Sequence, residues 1–288
     1  MKDVIVCVGE VLWDSMPSSL FLGGAPYNVA YHLHQLGANT RLVSRVGDDV
    51  LGHEILRRLV TSGLETECVG MDRGLPTGFV RVDMGSHGIP TYDIVRPSAW
   101  DAISIDPSLL ERLTQAKALV FGSLAQRSEK SRDVIRALSG SIKPAVFDVN
   151  MRPPYVDRTT IEASLAVADY VKLNAEELGA LSRWFGLPGS PRDAARSLAR
   201  RFDCAVVCVT KGADGASLWH DGQWTEHPGF PADARDTVGS GDAFLAALLD
   251  GLLKGRDDAS ALAFACRLGS FVATKSGATP QYTLEEVR

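Results

Sequence analysis

The sequence predicts an α/β chain built on a mostly parallel sheet with helices on both faces. Three observations carry that prediction. Apolar runs of strand length recur at 4–8, 42–46, 118–121, 145–149, 170–173 and 205–209. Helical patterns separate most of them, and this alternation is what a parallel sheet with covered faces requires. The chain has 288 residues, 45% of them hydrophobic, enough to bury one large core or two smaller ones.

Composition narrows the function classes. A net charge of −5 without any basic run lacks the electrostatic footprint of nucleic-acid or anionic-membrane binding, which leaves small-molecule partners. Cys7, Cys68, Cys204, Cys208 and Cys266 are odd in number and form no CxxC pair, so they read as reduced, buried thiols of a cytoplasmic protein. Cys204 and Cys208 in particular read as core rather than as metal ligands. The apolar opening at 4–8 is too short for a signal segment, and no later stretch approaches the ~20 residues of a membrane span.

Each element follows from local chemistry. After the first strand, Gly9-Glu10-Val11-Leu12-Trp13-Asp14 forms a loop whose Asp14 carboxylate can accept from two adjacent hydroxyls, as polyol recognition needs. Gly23-Gly24-Ala25-Pro26-Tyr27-Asn28 is a helix entry in which glycine lets the backbone approach a ligand and proline suits the first turn. The helix at 26–36 closes on Gly37, and the next, at 49–62, closes on Gly63. His32 and His34 read as lining the side of the first of these. The stretch 78–84 breaks the pattern, because Val80, Val82 and Met84 alternate with Arg81 and Asp83 before a glycine-bearing turn into 90–95. Such a hairpin is out of place in a buried parallel sheet. Its apolar face must pack on the domain, on a second subunit or over a bound ligand.

Helices at 129–139, 175–185, 191–202, 243–253 and 259–275 complete the pattern, and no repeat or linker interrupts it. Ligands in such sheets gather beyond the strand carboxyl ends. Asp148-Val149-Asn150-Met151-Arg152 ends one strand there, and Arg152 is either a ligand for a sugar oxygen or phosphate or a surface arginine before Pro153-Pro154. Asn174-Ala175-Glu176-Glu177 has the form of a capping box, and such a cap can also present its carboxylate outward. Thr210-Lys211-Gly212-Ala213-Asp214-Gly215 is a glycine turn into a further hairpin.

The most informative run is Asp236-Thr237-Val238-Gly239-Ser240-Gly241-Asp242, which leads directly into the helix at 243–253. A helix N-terminus has unpaired N–H groups and partial positive charge, so Gly239, Ser240 and Gly241 can aim backbone donors at an anion. Asp242, with an ordinary carboxylate pKa near 4, would be ionised at neutral pH and could take a proton from a hydroxyl attacking phosphorus there. The same run is also an ordinary glycine loop before a helix-favouring acid.

This heptad and its helix resemble the second signature of the ribokinase-like, or PfkB, family of carbohydrate kinases, and every fixed position of that Asp-Thr-x-Gly-(Ala or Ser)-Gly-Asp pattern is met. The resemblance implies a ribokinase-like three-layer α/β/α fold over 1–288, with a small β lid inserted at about 11–22 and 77–97. It makes Asp242 the catalytic base and the amides of Gly239, Ser240 and Gly241 the anion hole. Gly23, Gly24 and Asn28 match the first signature and, with Asp14 and Arg152, would bind the sugar. Asn174 and Glu177 match the Asn-x-x-Glu motif that organises Mg²⁺ and its waters around the nucleotide. Thr210, Gly212 and the turn carrying Gly277 would border ATP, and K⁺ would bind near Asp236. Cys266 stands where many relatives carry Asn, a departure at the adenine edge.

The resemblance runs from Gly9 to Gly277 in family order and implies an ATP-dependent sugar kinase, with a homodimer through the lid as a further implication. D-fructose, phosphorylated at a primary hydroxyl, is the expected acceptor, because the Gly9 to Asp14 opening, the Gly23 to Asn28 run and the stretch 92–101 look most like bacterial fructokinases. A 2-keto-3-deoxygluconate kinase or another sugar or nucleoside kinase of the family is the same-class alternative, since the Asp148 to Arg152 run is shared. A sugar- or nucleotide-binding regulator without turnover is the alternative from another class. No Walker-type loop, dinucleotide fingerprint, nucleophile elbow or zinc-protease helix is present.

Overall fold

The computed structural model describes residues 3–16, 19–84 and 90–287. In chain order it contains β1 (Val4–Val8), β2 (Leu12–Met16), β3 (Ser19–Gly23), α1 (Ala25–Gln35), β4 (Asn39–Gly47), α2 (Val50–Thr61), β5 (Val69–Asp72), β6 (Gly78–Met84) and β7 (Pro90–Ile94). There follow α3 (Pro107–Leu113), β8 (Ala118–Gly122), α4 (Glu129–Ser139), β9 (Ala145–Asp148), α5 (Arg158–Leu165), β10 (Tyr170–Asn174), α6 (Ala175–Phe185) and α7 (Pro191–Phe202). The last third holds β11 (Val206–Thr210), β12 (Ala216–His220), β13 (Gln223–His227), α8 (Ser240–Leu253) and α9 (Asp258–Ala273).

A nine-stranded sheet runs in the order β13-β12-β11-β10-β9-β8-β1-β4-β5. Its strands are parallel except for the β12 and β13 hairpin at one edge. Side chains alternate between its faces. Val4, Val6 and Val8 join a core with Leu113 of α3, Ile135 of α4, Leu165 of α5, Leu181 of α6 and Leu198 of α7. Ile5 and Cys7 point the other way, onto Leu33 of α1, Ile55 of α2 and Leu245 of α8. Burial on both faces is why these strands read as unbroken apolar runs. All five cysteines are buried and free, with Cys266 packed in the α8 and α9 layer.

The chain reverses its direction across the sheet at β1, which lies between β8 and β4. At such a switch point the connections leave to opposite sides and open a crevice beyond the carboxyl ends. The loops after β1, β8, β9, β10 and β11 therefore meet at one edge, and α1 and α8 cross it in contact with one another.

The amphipathic hairpin is half of a larger feature. A four-stranded sheet in the order β3-β2-β6-β7 joins two antiparallel hairpins through a parallel pairing of Leu12 with Gly78 and Asp14 with Val80. The glycine-bearing turn expected between β6 and β7 lies at 85–89, outside the described residues. Val80 and Ile94 are buried in the main core beside Leu12 and Trp100, so the hairpin's apolar face packs at least in part on the domain itself.

Among the short helices that went unread in the sequence are α3 and α5. Each has a side-chain cap that was legible: Asp106 accepts from Leu109 N at 2.9 Å just before Pro107, and Asp157 accepts from Thr160 N at 2.8 Å. His32 lines the side of α1, as read, and is fully buried there. Its Nε2 lies 2.9 Å from the Ala278 carbonyl, which can only accept, so the hydrogen sits on Nε2 and Nδ1 accepts from the Tyr282 hydroxyl at 3.0 Å. Burial pulls its pKa down to about 4, which keeps it neutral.

The exit of β7 is held by one buried ion pair. Arg127, with only 2% of its side chain exposed, bonds Asp101 through Nε at 2.7 Å and Nη2 at 2.8 Å, donates to the Val95 carbonyl at 2.8 Å, and lies 3.9 Å over the Trp100 ring. Removing one partner leaves the other charge buried without compensation. Arg127→Met is therefore expected to lose about 3–5 kcal/mol of stability, measured by urea unfolding. A loss below about 1 kcal/mol would place this pair among the weak surface contacts.

Candidate active site

The site is assembled at the start of α8. Gly239 takes φ 77°, in the left-handed region, and serves as the helix cap without any side-chain hydrogen bond. A Cβ there would lie 2.6 Å from Ala278 Cα, so both backbone shape and space require glycine. The helix begins at Ser240 rather than at 243, which carries Gly241 and Asp242 into its first turn. Ser240 departs from expectation. Its amide already leans on the Thr237 carbonyl at 3.3 Å, and its hydroxyl donates to Gly269 O of α9 at 2.9 Å.

Asp242 is 9% exposed and accepts a hydrogen bond from Asn28 Nδ2 at 2.8 Å. Asn28 is itself buried, and its Oδ1 has no partner. Burial is the largest influence on the Asp242 carboxyl and Asp148 the next; against Lys172, Asn28 and Arg152 they raise its pKa to about 6. The expectation of an ordinary carboxylate is corrected accordingly. The group remains ionised at neutral pH but is a stronger base than a solvated aspartate.

Asp14, on β2, is pushed up to about 6 by burial, with Arg152 opposing and Asp242 and Asp236 adding. Gly23 has no room for a side chain, because a Cβ would overlap Asp14 Oδ2, and a Cβ on Gly24 would overlap the Glu10 carbonyl. Arg152 is exposed and donates to Met151 O at 3.1 Å, while its charge reaches Glu10, Asp14 and Asp242. Glu10 was not singled out in the sequence. Burial raises its pKa to about 7, and its Oε2 is unpartnered. The readable signal was a carboxylate placed directly after the buried strand at the switch point.

The capping box is real. Asn174 Oδ1 accepts from Glu177 N, and Glu177 Oε2 accepts from Asn174 N, both at 2.8 Å. Glu177 Oε1 also accepts from Met151 N at 2.8 Å, which ties the loop after β9 to α6. Burial, then Asp148, raises the Glu177 pKa. Thr210 lies beside Asn174 in the parallel register, and Gly212 follows it at φ 61°. These two stand one strand further along the same edge. Gly277 donates to Asp236 Oδ2 at 3.1 Å, and Asp236 Oδ1 accepts from Val238 N at 3.0 Å. Phe21 of β3 reaches this turn, its ring 2.8 Å from where a Gly277 side chain would begin.

Residues 10–284 match the family model described as pfkB family carbohydrate kinase. The fructokinase of Klebsiella pneumoniae is 35% identical over 270 residues, spanning 88% of this chain and 85% of its own. The fructokinase of Escherichia coli is 32% identical over 267 residues, with the same coverage of 88% and 85%. A sugar kinase of Pyrococcus horikoshii, solved in complex with ATP, shares 26% identity at a TM-score of 0.79, over 98% of this chain and 96% of its own. The ATP-bound fructokinase of Xylella fastidiosa superposes at a TM-score of 0.86 over 100% of this chain and 97% of its own; at 24% identity that likeness speaks for the fold.

Because Gly239 is both left-handed and in contact with Ala278, Gly239→Ala is expected to cost at least the ~1–2 kcal/mol of a forced left-handed residue. A drop in thermal unfolding temperature would register it. An unshifted transition would mean that the turn can relax without its glycine.

Proposed function

Because the chain belongs to the pfkB family of carbohydrate kinases, we propose that it transfers the γ-phosphoryl group of ATP to a primary hydroxyl of a small sugar, with D-fructose as the acceptor. One observation carries the reading: an acid buried in the first turn of α8, oriented by Asn28, beside the amides of a glycine turn. A pure binder has no use for a base at that place. The fructokinases of Klebsiella pneumoniae and Escherichia coli favour the ketose, and the ATP-bound sugar kinase of Pyrococcus horikoshii favours the nucleotide.

In the proposed reaction Asp242 accepts the proton of the sugar hydroxyl as that oxygen bonds to the γ-phosphorus. The bond from phosphorus to the bridging oxygen breaks, and ADP leaves with its electron pair. Amides of the first turn of α8, Gly241 among them, meet the charge on the transferring phosphoryl group. Asp14, Asn28 Oδ1 and the backbone at Gly23 and Gly24 hold sugar hydroxyls, with Arg152 at the rim. The unsatisfied Asn28 oxygen supports this, since a buried acceptor needs a donor. Asn174, Thr210, Gly212 and Gly277 border the nucleotide. The four-stranded sheet acts as the lid that excludes water, a role supported by the contact of Phe21 with Gly277.

Mg²⁺, when bound, neutralises charge on the nucleotide phosphates. Glu177 suits it only through water, since both its oxygens already accept backbone amides. Among the described residues no group of three or more His, Cys, Asp or Glu is placed to hold an ion directly. Asp236, between Val238 and Gly277, is the carboxylate that K⁺ would meet beside the turn.

Asp242→Asn is expected to lower kcat by roughly 10²–10⁴ while ATP binding by calorimetry survives. Unchanged turnover would remove the assigned role. Since the base works ionised, kcat/KM should fall as pH drops through about 6, the raised value of Asp242. An acid limb near 4 would instead indicate an ordinary solvated carboxylate. In a sugar panel with coupled ADP detection fructose should lead, and a preference for 2-keto-3-deoxygluconate would overturn the acceptor.

A further inference from the structure

Two buried charges beneath the first turn of α8 take no part in the reaction as derived. Lys172 of β10 is 7% exposed and Asp148 of β9 is 3% exposed, and the two are partners in the parallel register. Lys172 Nζ stands 3.1 Å from each Asp148 oxygen. A Cβ on Gly241 would lie 3.1 Å from the same Nζ, so the ammonium rests against the helix turn from below. Nothing about packing asks for this. A cation at a helix N-terminus opposes the macrodipole, and a buried ion pair is commonly no more stable than apolar side chains of the same volume. Burial pulls the Lys172 ammonium down, but Asp148, Asp242 and Glu177 outweigh it and hold its pKa above the ordinary value. It therefore stays charged.

Both members act on Asp242, with opposite sign. After burial, Asp148 is the largest influence on the Asp242 carboxyl and disfavours its charge, while Lys172 is the next and favours it. The other charged groups around it are Arg152 after β9, Glu10 after β1, Asp14 on β2, and Glu177 on α6, which acts on Lys172. The pair is carried on two adjacent strands, β9 and β10, and its ammonium meets the turn at Gly241.

We propose that the buried Lys172 and Asp148 pair is a positioning device that sets the pH at which the Asp242 carboxylate accepts its proton, Lys172 holding it ionised and Asp148 keeping it basic. This rests on Asp242 being the base. Neither residue needs to touch sugar or nucleotide. Its balance places the acid edge of activity below neutrality, where the group is ionised and still a competent proton acceptor.

The test compares wild type with Lys172→Met, Asp148→Asn and the double variant, reading kcat and kcat/KM for fructose against pH with thermal unfolding alongside. Lys172→Met should move the acid limb up by about one pH unit and Asp148→Asn should move it down by about one. The double variant should fall between these and below wild type, because Asp148 is the stronger influence. That variant leaves no charge buried alone, so it keeps the test decisive where a single variant fails to fold. Limbs that stay in place, or that move the same way in both single variants, overturn the proposal and reduce the pair to a structural contact. A double-variant limb at or above wild type also overturns it. Either result leaves the loss of turnover in Asp242→Asn intact, whereas surviving turnover there would overturn the base assignment itself.

Discussion

The hydrogen bond from Asn28 to Asp242, 2.8 Å long and joining residues 214 positions apart, is the contact on which the site depends. It ties the helix after the first hairpin to the helix after the β12 and β13 hairpin, across the switch point where β1 separates β8 from β4. One amide hydrogen fixes which way the carboxylate faces. The other atom of the same amide is left buried and free. One turn further along α1, His32 holds the Ala278 carbonyl, and Ala278 in turn packs on Gly239. A single helix thus positions both the acid and the floor of the glycine turn.

This arrangement is held against an electrostatic cost. Glu10, Asp14 and Asp242 are all raised well above ordinary carboxylates, chiefly by burial. Concentrating acids in a poorly solvated place is unfavourable for folding, and perturbed groups of this kind gather where chemistry is done. The positive charges of Lys172 and Arg152 offset part of the repulsion. The core below is ordinary by comparison, two apolar layers on the faces of one sheet.

Much of the fold was legible because parallel strands covered on both faces leave unbroken apolar runs. β1 was read at its observed limits, as were α4, α6 and α7, and α6 and α7 announce their starts with the side-chain caps Asn174 and Ser190. The four-stranded sheet was only half legible, since its central pairing of β2 with β6 depends on tertiary placement rather than on any local turn. The cap at Gly239 was legible in the heptad, because glycine in the left-handed region leaves a mark in sequence. Lys172 left none. Inside Tyr-Val-Lys-Leu a lysine reads as a strand's solvated side, and its burial appears only when the register sets it beside Asp148. The partners of His32 left no mark either, as they lie 246 and 250 residues away.

A crystal structure with fructose and a non-hydrolysable ATP analogue measures the geometry most directly. The arrangement predicts a sugar primary hydroxyl within hydrogen-bond distance of the Asp242 carboxylate, with the terminal phosphate against the amides at the start of α8. A carboxylate that faces away from both ligands, or a phosphate bound elsewhere on the sheet edge, would contradict it.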